Sequence, residues 1–167
     1  GDEPEPTVAG VPDKNAVETS LYLSNEQNLG RSLKLSYGLR LTRWGNRGET
    51  VEFEYDENYL PVDTFYHSGN AVYHTFLSLE PRISMAFRLI PGFNGRLSYN
   101  RSSQFEYLIT NSISPFTSLE IWLPAGPNIK PMFADQLSAG FSLRSYGWLP
   151  AVDVDVFYKK MHNALSY

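Results

Sequence analysis

The sequence contains no cysteine, which removes disulfide scaffolds, thiolate zinc sites and cysteine nucleophiles from consideration. It also has no run of about 18 apolar residues, the length a transmembrane helix needs. Strands escape that exclusion, because a membrane barrel is built on alternation and needs no long apolar run. A basic surplus is missing as well: 14 Lys and Arg stand against 18 Asp and Glu, a net charge of −4. No basic stripe is present for nucleic acid or an anionic membrane surface. What the chain has in quantity is aromatic and turn-forming: 11 Tyr, 10 Phe and 3 Trp, with 12 Gly and 11 Pro. That composition suits strands and turns better than helices.

Residues 1–15 are rich in Pro, Gly and acid and are expected to form a flexible leader, with residues 16–167 forming a partial β-barrel domain. The abrupt start at Gly1 is expected to mark an excised segment or truncated product. From there the chain alternates with a period of two. Val17, Thr19, Leu21 and Leu23 interleave with Glu18, Ser20, Tyr22 and Ser24. Leu33, Leu35, Tyr37, Leu39 and Leu41 oppose Lys34, Ser36, Gly38, Arg40 and Thr42. A third segment sets Tyr73, Leu77, Leu79, Ile83, Met85, Phe87 and Leu89 against His74, Ser78, Glu80, Arg82, Ser84 and Arg88, with Phe76 out of pattern. A fourth runs Leu97, Tyr99, Phe105, Tyr107 and Ile109 against Arg96, Ser98, Asn100, Ser102, Gln104 and Glu106. The fifth places Phe133, Leu137, Phe141 and Leu143 opposite Gln136, Ser138, Ser142 and Arg144. In the sixth, Val152, Val154, Val156 and Tyr158 face away from Asp153, Asp155 and Lys159. Each pattern puts bulky groups on one face of a strand and polar or small groups on the other.

The connections alternate in length: short at 26–31, long at 45–70, short at 91–94, long at 110–132, short at 145–150. Tight turns on one side and longer loops on the other are the mark of a barrel threaded through a membrane. The predicted fold is therefore all-β: an antiparallel up-and-down meander of about six long strands, part of a transmembrane β-barrel. Since the smallest membrane barrels use about eight strands, this chain is expected to have open edges at Val17 and near Tyr167. Val51, Phe53 and Tyr55, alternating with Glu52 and Glu54, suggest a further hairpin within the first long connection. Phe93 and Trp148 are expected at one membrane boundary and Trp44, Tyr73, Tyr107 and Phe133 at the other, as two aromatic girdles. The polar rows (Lys34, Ser36, Arg40; Arg82, Ser84, Arg88; Asn100, Gln104; Gln136, Ser138) should share one face. Were the chain alone in water, its aliphatic face should curl inward, packing Leu35, Leu39, Leu77, Ile83, Phe87, Leu137, Phe141 and Val154 together, or self-associate.

Several short motifs recur in a set order: Gly38-Leu39-Arg40-Leu41, Glu80-Pro81-Arg82-Ile83-Ser84, Leu97-Ser98-Tyr99-Asn100-Arg101-Ser102-Ser103-Gln104, Ile121-Trp122-Leu123-Pro124, Asn128-Ile129-Lys130-Pro131, Ala134-Asp135-Gln136, and Val156-Phe157-Tyr158-Lys159-Lys160-Met161-His162-Asn163. In order and spacing, over about residues 18–167, the chain resembles the C-terminal barrel segment of Bacteroidetes TonB-dependent outer-membrane receptors. That resemblance implies a wall segment of a transporter of about 22 strands with a plugged lumen, importing an iron complex, glycan or vitamin. It implies the outer membrane of a Gram-negative bacterium as the location. The implied partners are the rest of the barrel and the plug, outer-membrane lipid, an unidentified nutrient, and the TonB complex through segments outside this chain. The motifs read as scaffold and assign no ligand-binding residue.

No catalytic, cofactor or metal residue is assigned. His67, His74 and His162 lack metal-ligand spacing and accompanying carboxylates. Asp153 and Asp155 share a strand face as paired glycosidase carboxylates do, but polar lining of a wet lumen accounts for them. Neither a Gly-x-Ser-x-Gly turn nor a phosphate cradle is present. Arg82, Arg88, Arg96, Arg101 and Arg144 are expected mostly on polar faces, paired with Glu80, Glu106 and other lumen carboxylates. The outer loops, with Tyr55, Tyr59, Phe65, Tyr66 and Trp122, either capture a ligand or pack on one another. Two other functions compete with transport: a small soluble β-barrel binding a lipid or sugar, and, with only the Asp153–Asp155 pair in its favour, an enzyme. A soluble barrel turns its apolar face inward and a membrane barrel turns it outward.

Overall fold

Residues that alternate in this way commit whole faces at once, and the long strands form where the alternation is cleanest. The computed structural model describes residues 15–56, 60–114, 117–144, 147–148 and 150–164, and these are strands and turns throughout. The strands are β1 (Asn15–Leu29), β2 (Leu33–Arg47), β3 (Thr50–Tyr55), β4 (Pro61–His67), β5 (Val72–Ile90), β6 (Phe93–Gln104), β7 (Glu106–Ser114), β8 (Thr117–Pro124), β9 (Met132–Leu143) and β10 (Val152–His162). Six of them form one sheet in the order β1-β2-β5-β6-β9-β10, every pair antiparallel. The expected meander is present, with a two-stranded hairpin inserted in each long connection: β3–β4 and β7–β8. Among the described residues, β1 and β10 each pair on one side only.

β1 begins at Asn15, at the expected end of the leader, and residues 1–14 lie outside the described residues. The fourth alternating segment divides. β6 stays in the main sheet as far as Gln104↔Met132, whereas β7 leaves it to pair with β8. Phe105 lies between them, buried. The residues on either side keep the same parity, so alternation alone could not reveal the break.

The polar rows share a face as expected. Ser36, Ser84, Ser98 and Ser138 stand in one register row across four strands, and the last two are joined through their hydroxyls at 2.7 Å. Arg40 lies opposite Glu80 and Gly38 opposite Arg82, which puts both arginines on that face. The other face carries Leu33, Phe87, Gly95, Phe141 and Val154 in one row. The Phe87 ring lies over Gly95, where a Cβ would come within 2.3 Å of it. This face does not curl inward: of the eight residues expected to pack together, Leu35 and Phe87 are half-buried and the other six are exposed.

The upper limit of the aliphatic band lies at two levels. On β2 it ends at Arg43, level with Leu77. On β6, β9 and β10 it ends at Arg101, Asp135 and Lys160, which share a row. Arg82 pairs with Asn100, so Arg101 is level with Pro81 and Leu39, four residues below Arg43 in β2. At the strand rise this is a step of about 13 Å between β2 and the β6–β10 side of the sheet.

Candidate functional site

At the end bearing the two hairpins, the polar face of the sheet is covered. Trp44, only 4% exposed, stacks on Phe105 with ring centroids 5.4 Å apart and planes 5° from parallel. Its Nε1 donates to Asn46 Oδ1 at 2.7 Å, and Asn46 Nδ2 donates to the carbonyl of Ala125 at 2.7 Å. Ala125 N in turn donates to Phe105 O at 2.6 Å. Trp44, Phe105 and Ala125 form the buried hydrophobic cluster, with Ala16 and Phe76 packed against it. Phe76, out of pattern in the sequence, thus has its apolar partner. The closed loop of bonds fixes both ends of the β7–β8 excursion over β2. Tyr107, also buried, donates its hydroxyl to Lys130 O at 2.5 Å, and burial raises its pKa above the ordinary phenol value.

These positions correct the girdle assignment. Trp44 lies on the polar face and Tyr107 is buried against the 130 segment, so neither reaches a lipid boundary. Phe93 and Phe133 lie on the aliphatic face, Phe93 stacked on Phe141 and Phe133 on His162, while Trp148 is 89% exposed in the β9–β10 turn. In the hairpins, Phe65, Tyr66 and Trp122 are exposed instead of packed away, and Tyr59 lies outside the described residues.

Between the hairpins is a cavity of about 230 Å³, bordered by Asn46, Thr50, Phe53, Tyr73, Leu123 and Asn128 among others. Asn128 Nδ2 donates to Phe53 O at 3.0 Å and ties the two excursions together across it. Among the described residues, no carboxylate, amine, guanidinium or imidazole lines it. Asn46, Ala125 and Asn128 carry no signal in the sequence, because small and amide residues in a long connection have no periodicity to read.

Arg96 pairs with a polar-face carboxylate as expected, while among the described residues neither Glu80 nor Glu106 pairs with an arginine. On the polar face Arg40 Nη2 bonds Glu18 at 3.1 Å and Ser20 at 2.9 Å. Arg96 forks onto Asp155, its Nε at 3.0 Å from Oδ1, and reaches it across Gly140, where any Cβ would collide with both side chains. Asp155 is therefore committed to an arginine and not to Asp153. Arg101 falls on the aliphatic face, above the band. It binds Asp135 through Nε at 2.8 Å and Nη2 at 3.0 Å, and its guanidinium lies over Phe133. The three histidines each meet an aromatic ring: His67 on Tyr73, His74 on Phe76 and His162 on Phe133. Among the described residues no group of three or more His, Cys, Asp or Glu gathers to hold a metal.

Against known proteins, the family model described as TonB dependent receptor-like, beta-barrel matches residues 2–167. No curated protein matches the chain, and neither does any solved structure.

Proposed function

The chain belongs to the TonB-dependent receptor β-barrel family, and from that premise we propose that it forms a stretch of the wall of an outer-membrane transporter that imports a bulky nutrient into a Gram-negative cell of the Bacteroidetes type. The observation that carries this is the division of one sheet into two faces. One is bonded, polar and suited to a hydrated lumen. The other leaves Leu21, Leu39, Leu77, Ile83, Leu97, Leu137 and Val154 exposed along one side. Each such residue left in water forfeits roughly 1.5–3 kcal/mol, and together they rival the roughly 5–15 kcal/mol that holds a domain folded. Lipid removes that cost. The same exposure argues against a soluble module, which encloses its apolar face. In this reading the polar face meets a lumen domain, the aliphatic face meets lipid, and energy coupling through TonB engages other parts of the receptor.

Single-cysteine labelling of the full receptor in outer-membrane vesicles tests it. With Ser98→Cys or Ser138→Cys, a water-soluble maleimide should react; with Leu97→Cys or Leu137→Cys it should not, while a lipid-dissolved nitroxide quenches a fluorophore placed there. Equal aqueous labelling at all four positions would sink the proposal.

A further inference from the structure

The cavity between the two hairpins differs from spaces lower on the sheet in the chemistry of its lining. Glu26 and Arg82 border one of those, of about 500 Å³, and Lys34, Arg96 and Asp155 border another, of about 450 Å³. Around the hairpin cavity, of about 230 Å³, the described side chains are instead hydroxyl, amide, aromatic and aliphatic. Thr50 is half-buried there, and among the described residues its hydroxyl has no hydrogen-bond partner. Asn128 commits one amide N–H to Phe53 O at 3.0 Å. Its second N–H and its Oδ1 have no partner among the described residues. Phe53 is 43% exposed, and the Tyr73 ring is backed by that of His67, with 4.6 Å between centroids. The frame that carries these groups is tied down. Gly126 and Ile129 exchange backbone bonds in both directions, at 2.9 and 3.1 Å, and the tight turn they close presents Asn128. Asn46 holds the residue before that turn through its bond to Ala125 O.

An anionic metal chelate or a charged vitamin entering such a space needs a counter-charge, and stripping its water without one is costly. Among the described residues none lines this cavity. A sugar ring asks for what is there: polar partners for its hydroxyls and an aromatic surface for the C–H groups of its apolar side. Thr50 and Asn128 supply donors and acceptors, and a frame already tied down lowers the ordering entropy lost on binding. The volume suits a single ring, with the rest of a chain outside it. We propose that this cavity captures one ring of an uncharged sugar, and that the nutrient taken up is a neutral glycan. This rests on the transport reading above and narrows it from three substrate classes to one.

Binding to the full receptor in detergent micelles tests it. The probes are an array of neutral and acidic oligosaccharides, with ferric citrate and cyanocobalamin titrated alongside. A neutral oligosaccharide should bind, and the acidic glycans, the chelate and the vitamin should not. Thr50→Val removes the hydroxyl with little change of shape, and Phe53→Ala removes an exposed ring. Each should weaken the binding by about tenfold or more in titration calorimetry, with the unfolding midpoint of the Thr50→Val receptor unchanged. Lys34→Ala, far down the polar face, should leave the affinity as it was. Absence of any bound neutral glycan would overturn the proposal, and so would binding that either cavity variant leaves intact. An acidic glycan, chelate or vitamin that binds and is weakened by both variants would overturn it as well. Failure of the transport reading looks different: the labelling contrast between Ser98 and Leu97 collapses whether or not a sugar binds.

Discussion

Near the short turns each residue lies where its parity puts it: Ser98 and Ser138 on one face, Leu97 and Leu137 on the other, both faces open. At the hairpin end the same parity holds along the backbone, yet Thr42, Trp44 and Asn46 on the polar face are buried. What covers them comes from far along the chain, through Phe105 and Ala125. The comparison teaches that a barrel wall carries two kinds of stability. The crossing portion depends on the media on its two sides, and the outer portion has a small core of its own.

Removing the core should have the largest effect. Trp44→Ala deletes the stack on Phe105 and a buried donor, and should cost about 3–5 kcal/mol. Chemical unfolding of the receptor in micelles would read the loss, and hydrogen exchange should rise across residues 105–131 while β9 and β10 stay protected. An even rise over all strands would erase the distinction between the two regions.

The crossing portion should respond to side and not to packing. Leu97→Arg on the lipid face should destabilise the receptor in bilayers by about 2–4 kcal/mol if it lies near mid-depth. Ser98→Arg, one residue away on the polar face, should change little. Similar losses for the two would mean that the faces are reversed or both wet.

Asn46→Ala comes next. It leaves the Trp44 indole N–H and the Ala125 carbonyl without their partner, a cost of about 1–3 kcal/mol for buried groups. The change should loosen the β8–β9 connection before any strand of the sheet, as measured by local proteolysis or exchange.

Smallest of all should be Lys34→Ala. Its bond to Glu26 joins two largely exposed side chains, and such pairs are screened by salt and offset by lost side-chain freedom. Unfolding midpoints for the variant and the parent should coincide at high salt. A large drop would show that this end of the polar face is shielded from water in the assembled receptor.

The sequence by itself determined six alternating segments, the two sets of residues on each and a meander order, because a period of two sorts each strand's side chains onto opposite faces. It also marked Val51 to Tyr55 as a hairpin arm, and Phe76 as misplaced on a polar face. Only the tertiary structure decided what that misplaced ring packs near, since the contact of Phe105 with Trp44 spans 61 positions by sequence number, and no local pattern encodes it. Arginine pairing was legible only in part: which face Arg96 occupies follows from parity, but its reach across Gly140 to Asp155 depends on β9 lying between β6 and β10 and on a residue there with no side chain. The break at Phe105 was hidden for a related reason. Backbone alternation continues through a departure from the sheet, and the force that ends β6 is burial of one ring under a strand laid down far earlier in the chain.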